Sequence, residues 1–279
     1  ANSTMAMAVN SSIPIVSMWD YEGSTDAEYL ANILKSNRID ANVEDVFGIR
    51  DPKTGKWLVK PRVRYYSETV AEKFFDYLAK LERLLPDVRK IGDDWVYIYE
   101  NTKPNKSIVG SKYDKSYFSK TGKFRVPAPN GNLQALVICD SYPAMLPEKM
   151  DTDDPSNAMA MQARMFSEQM KRVKGRMKAK RIAVIGINQL RQKPAVMFGS
   201  PEYEPGGEAL KFYSDCRIRL ASRALSAVVN GGKGYEETED SYNGEGEDTY
   251  RYVHARAIKN KLSVPNLECF LRIWITDAD

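Results

Sequence analysis

The chain has 279 residues, 43% of them hydrophobic, enough for one large core or a core with a small appendage. Its net charge of +4 is too mild for a global field that gathers nucleic acid, so any such site must come from local patches. Cys139, Cys216 and Cys269 lack metal-ligand spacing and read as buried, reduced thiols. No apolar run reaches membrane-spanning length and no signal peptide opens the chain, which predicts a soluble, cytoplasmic protein without membrane contact.

Residues 3–9 read as the first turns of a helix and 13–19 as a strand that closes on Asp20, Tyr21 and Glu22. Asp26 and Tyr29 then open a second helix, and acids at a strand end often do no more than cap the next helix. Residues 44–66 hold a turn signal, Asp51 to Lys56, between apolar stretches and predict a small hairpin. Ser67 reads as the N-cap of a helix reaching Leu85, with Val70, Phe74, Tyr77 or Leu78, Leu81 and Leu85 on its core face. Residues 88–132 mix Lys and Arg with Trp95, Tyr97, Tyr99, Tyr113, Tyr117, Phe118 and Phe124; WVYIY is a strand and 103–123 a loop. Rings interleaved with cations suit single-stranded nucleic acid, and a small solvated β-extension has the same composition.

Residues 133–140 form a buried strand ending in an acid, Asp140, followed by Ser141, the form of a Walker B strand whose acid binds Mg²⁺ directly or through water. An acidic loop, 148–157, precedes a long helix over about 158–178 with Met159, Phe166, Met170, Val173 and Met177 at helical spacing, a core stripe. Arg164 and Lys171, seven apart, share another face of it, where a solvated surface is the plain reading. The β-branched run 182–187 reads as a buried strand that ends on Asn188 and Gln189, and an amide at the carboxyl end of such a strand is placed to sense a ligand. About twenty residues rich in Pro and Gly come next, with Val196, Met197 and Phe198 exposed and Gly206-Gly207 open to close backbone approach. Strands over 217–229 and 249–259 flank an acidic, glycine-rich loop at 230–248, and Lys259-Asn260-Lys261 closes the second strand. His254 sits in that strand and receives no catalytic role.

The stretch INQLRQKPAVMFGSPEYEPGGEALKFYSDCRIRL closely resembles the second DNA-binding loop and flanking strands of the RecA recombinases of bacteria and phages. The strand followed by Asp-x-Glu, Asp26 and Tyr29, the Walker B strand and the Lys-Asn-Lys triplet stand in that family's order. The resemblance covers roughly 3–47, 62–87 and 133–275. It implies a RecA-like P-loop NTPase core, α/β with a mostly parallel central sheet flanked by helices, interrupted by the β-rich basic and aromatic insertion at 88–132. It also implies that Glu22 activates the attacking water, that Gln189 senses the γ-phosphate, and that Lys259 and Lys261 reach a neighbour's γ-phosphate. Asp26 and Tyr29 would hold the adenine, and Ser3, Thr4, Asp140 and Ser141 the rest of the nucleotide, with Ser3 or Thr4 and Asp140 at Mg²⁺. Arg164, Lys171, Arg191, Met197, Phe198, Gly206 and Gly207 would contact DNA, and Phe212 the adjacent subunit.

The same resemblance implies a DNA-dependent ATPase that uses ATP and Mg²⁺, assembles as a helical filament on single-stranded DNA and pairs it with homologous duplex in recombination and repair, in a bacterial or phage setting. It breaks where a phosphate loop belongs: Ala1 and Asn2 stand where its last Gly and its Lys are expected, and an uncharged Asn cannot replace that cation. The N-terminal packing element, the complete P-loop and the small C-terminal domain are therefore expected to be absent from the single core of 1–279. Two other readings stay open, a non-hydrolysing RecA paralogue that binds DNA as a scaffold and a ring-shaped replicative helicase.

Overall fold

The computed structural model describes residues 2–9, 11–99, 124–128, 133–149, 155–192, 202–223 and 249–275. Two compact units make up the chain, Ala1–Leu210 and Lys211–Asp279. The first runs α1 (Asn2–Val9), β1 (Ile15–Asp20), α2 (Ala27–Ser36), α3 (Val43–Phe47), the hairpin β2 (Ile49–Arg50) and β3 (Trp57–Val59), β4 (Val63–Ser67) and α4 (Ala71–Leu84). A three-stranded antiparallel sheet comes next, β5 (Asp87–Ile91), β6 (Asp94–Tyr99) and β7 (Phe124–Pro127). Then come β8 (Ala135–Asp140), the long helix α5 (Pro155–Met177), β9 (Ile182–Gly186) and the paired short strands β10 (Arg191–Gln192) and β11 (Glu202–Tyr203).

β1, β4, β8 and β9 form a parallel sheet in the order β4-β1-β8-β9. β1 and β8 are almost wholly buried, as expected of central strands covered on both faces. Alternate residues face opposite layers. Val16, Met18, Leu136 and Ile138 pack against Met5, Leu30, Leu34 and Val46 of α1, α2 and α3. Trp19, Ala135, Val137 and Cys139 pack against Phe74, Phe75, Leu78 and Phe166 of α4 and α5. The α/β core with a mostly parallel sheet and a β-rich insertion is as the sequence predicts.

The second unit holds an antiparallel sheet, β12 (Cys216–Arg223), β13 (Thr249–Asn260) and β14 (Glu268–Ile275), in the order β12-β13-β14. The boundary between the units falls within the short helix α6 (Glu208–Tyr213). The acidic loop 230–248 lies outside the described residues, as does most of the insertion between β6 and β7.

Three expectations are corrected. Ser67 is not a helix cap: it ends β4, and α4 starts after Val70, which makes no side-chain capping bond. β4 was hidden in sequence because, as the edge of the central sheet, it shows an exposed rather than a continuous apolar pattern. Of the cysteines only Cys139 is buried; Cys216 and Cys269 are exposed although both lie in strands. The methionine stripe is core at Phe166 and Val173, but Met159 near the start of α5 is exposed.

Candidate active site

The parallel register sets the carboxyl ends of β1, β8 and β9 side by side, with Asp20 level with Asp140 and Cys139 level with Gly186. The chain leaves each strand toward the same place. Glu22 lies two residues past β1, Ser141 directly past β8 across a cis peptide bond, and Gln189 three residues past β9. They meet at one atom: Glu22 Oε1 accepts hydrogen bonds from the Ser141 hydroxyl and, at 3.1 Å, from Gln189 Nε2. Three residues far apart in sequence thus form one cluster at the sheet's C-terminal edge, where open α/β sheets bind ligands.

Asp20 lies beneath this cluster and is 1% exposed. Its Oδ1 accepts the backbone N–H groups of Glu22 (3.2 Å), Gly23 (2.8 Å) and Ser24 (3.2 Å). Its Oδ2 accepts the N–H of Thr25 at 2.9 Å and the Tyr65 hydroxyl at 2.8 Å. Burial pushes the Asp20 carboxyl up, but the donors from Thr25, Tyr65 and Ser24 outweigh it and hold it below the usual carboxylate range. A depressed acid stabilises the fold above its ordinary pKa and loses that contribution as pH falls through the lowered value.

Asp140 goes the other way. Burial raises its pKa, and the neighbouring carboxylates of Glu22 and Asp20 add to the rise. At neutral pH the folded state therefore holds Asp140 charged against its neighbours, a destabilising effect that disappears once the group is protonated in both states. Asp140→Asn should raise the melting temperature at pH 7 by on the order of 2 °C, with the gain vanishing at pH 3. Calorimetry across that range checks it. An unchanged melting temperature at pH 7 would mean that burial and the neighbouring carboxylates together do not disfavour the charged Asp140.

Among the described residues no group of three or more His, Cys, Asp or Glu could hold a metal ion by itself. Mg²⁺ does not need one, because it is commonly held by one or two carboxylates together with substrate phosphates and water. Asp20 is occupied by its donors, whereas Asp140 is partly exposed and is the carboxylate that fits such a role.

The other residues singled out in the sequence lie nearby or apart from this cluster. Thr4 is half-buried in the first turn of α1, and the Ser3 side chain lies outside the described residues. Asp26 is the N-cap of α2, its Oδ1 accepting the Tyr29 N–H at 2.8 Å, and the Tyr29 ring is exposed. Arg164 pairs with Glu168 on the exposed side of α5, and Lys171 is exposed on the same helix. Arg191 lies opposite Tyr203 in the ribbon of β10 and β11, at the base of the segment with Met197 and Phe198, both outside the described residues. Gly206 and Gly207 both have positive φ, +88° and +73°. A Cβ on Gly206 would meet Leu210 and Phe166, and one on Gly207 would sit 2.9 Å from Ala163 Cβ, so close packing on α5 accounts for both glycines.

Within the second unit, Phe212 is exposed. The Lys259 ammonium donates to the carbonyls of Lys211 and Phe212 at the end of α6, a favourable place for a cation. Lys261 is 3.8 Å from Asp215. His254, which has no evident partner in sequence, stacks on Phe270 and lies 2.9 Å from Glu268 across the sheet. Sequence reasoning missed Asp20 and Tyr65 as parts of the site. The Asp-x-Glu pattern held the signal for Asp20, whereas nothing local marks Tyr65, which arrives from another strand.

The fold and the cluster define an α/β core with a parallel central sheet and polar side chains gathered at its strand tips. Residues 130–275, more than half of the chain, match the RecA N-terminal domain family, and the chain belongs to that family. The match takes in Asp140, Ser141, Gln189, Lys259 and Lys261 but not Glu22. The RecA proteins of Streptococcus mutans, Mycoplasma mobile and Aquifex aeolicus are 37%, 36% and 35% identical to it over 139 residues. Those alignments cover 50%, 50% and 49% of this chain and 33%, 37% and 35% of the relatives, so the matched stretch is about a third of their length. Among solved structures, the RadB recombinase covers 97% of this chain and 82% of its own at 11% identity and a TM-score of 0.41, a likeness too distant to bear on function.

Proposed function

We propose that this chain is the catalytic core of a RecA-type recombinase, a DNA-dependent ATPase that acts in recombination and repair as a filament on single-stranded DNA. The observation that carries the reading is the joining of Glu22 to Ser141 and Gln189 at the tips of adjacent parallel strands. Phosphoanhydride hydrolysis needs a positioned water and charge stabilisation more than covalent chemistry. Glu22 supplies a carboxylate that can orient the water and take its proton. Asp140 would hold Mg²⁺, which when bound neutralises charge on the substrate phosphates.

Gln189 links this carboxylate to the DNA side. Its amide bonds Glu22, and two residues on, Arg191 begins the ribbon that frames Met197 and Phe198. A γ-phosphate that draws the Gln189 amide away would alter the base of that loop. Lys259 and Lys261 would act across the interface of two protomers, leaving the carbonyls of α6 and Asp215 to supply charge in trans. The exposed Phe212 suits packing on the same neighbour.

The test is ATP turnover by the full-length protein with Mg²⁺, with and without single-stranded DNA, together with co-sedimentation on that DNA. Stimulation of at least about tenfold and ATP-dependent co-sedimentation are expected. DNA binding without any turnover would overturn the reading in favour of a non-hydrolysing scaffold.

A further inference from the structure

We propose that Asp20 is a positioning residue for this site: its buried carboxylate gathers four consecutive backbone N–H groups and the Tyr65 hydroxyl, and so fixes the turn that aims Glu22 at Ser141 and Gln189. The proposal rests on the reading of Glu22 as the carboxylate that activates water, and it adds the group that holds Glu22 in place.

An acid at a strand end commonly caps the next helix, but here Asp26 performs that task for α2. Asp20 instead serves the turn. A carboxylate that is 1% exposed is costly unless its oxygens are bonded, and five donors meet them. Gly23, at φ +65°, lets successive N–H groups curl around one oxygen, the arrangement by which backbone amides collect an anion. Hydrogen bonds to an ionised acceptor are about twice as strong as neutral ones. The fifth donor, Tyr65, comes from β4 and anchors the turn to the sheet's edge strand. The Glu22 backbone is therefore bonded from one side by Asp20 while its carboxylate is bonded from the other by Ser141 and Gln189.

Asp20→Asn is close to isosteric but turns one acceptor oxygen into a donor, which then opposes other donors. Tyr65→Phe removes one donor and leaves the carboxylate. In the full-length protein, Asp20→Asn should lower kcat for DNA-stimulated ATP hydrolysis by about 10- to 100-fold, the effect of a misplacement of about 1 Å. KM and DNA affinity should stay within about twofold, because the binding groups are untouched. Tyr65→Phe should give a smaller change of the same kind, and it carries the test if Asp20→Asn fails to fold. No hydrogen bond joins Asp20 to Gln189, so a shifted side-chain amide resonance of Gln189 in either variant reports displacement of Glu22 without any need for turnover. An unchanged kcat, or a kcat loss matched by a rising KM and general loosening, overturns the proposal. Glu22→Gln in the same assay separates the two failures. Retained turnover there removes the reading of Glu22, and the Gln189 resonance then decides alone whether Asp20 positions it.

Discussion

Glu22→Gln should reduce DNA-stimulated ATP turnover by about 10²- to 10⁴-fold, the range expected when a general base is lost, while single-stranded DNA affinity changes less than about threefold. Gln preserves the shape and can still accept the Ser141 proton, so the cluster survives geometrically. What disappears is the negative charge and the capacity to take a proton from water. Steady-state phosphate release alongside DNA-binding titrations measures both quantities. Because Glu22 lies outside residues 130–275, the family match alone does not demand this outcome, and ATPase retained in the variant would remove Glu22 from the mechanism.

The second large effect is on stability. Gly186 closes β9 against the ring of Tyr142, and a Cβ at that position would lie 2.1 Å from two ring atoms. The ring is buried and packs edge-on against Phe166, which is fully buried between α5 and the sheet. Gly186→Ala should destabilise the protein by about 3 kcal/mol, the upper part of the usual range for overpacking. Pairing it with Tyr142→Leu should recover part of the loss, since neighbouring substitutions couple through shared space. Chemical denaturation of the two single variants and the double closes the cycle. A Gly186→Ala variant as stable as the parent would show that Tyr142 is free to move.

The contrast between Glu22 and Gly186 shows how far the sequence could be read. The apolar runs of β1 and β8 announced buried parallel strands because both faces of a central strand must be apolar. The similar run of β9, by contrast, lies at the end of the sheet and buries only Ile182. The polar residues after each run, Glu22, Ser141 and Gln189, could then be placed at a common edge. Tyr65, Ser67 and the Gly186–Tyr142 contact were not legible, since each depends on which strands become neighbours. β4 pairs with β1 across more than forty intervening residues, and no local pattern encodes that choice. Gly206 and Gly207 show a different difficulty: one residue type serves both close approach to a ligand and close packing on a helix, and only the neighbours Phe166 and Ala163 reveal the packing.

The turn after β1 carries one more implication. The amides of Glu22, Gly23, Ser24 and Thr25 already have an internal acceptor, and a substrate oxygen arriving there would have to displace a carboxylate of this same chain. On the proposed ATPase reading, the segment after β1 would manage the nucleophile, and recognition of the leaving diphosphate would fall to other parts of the protein.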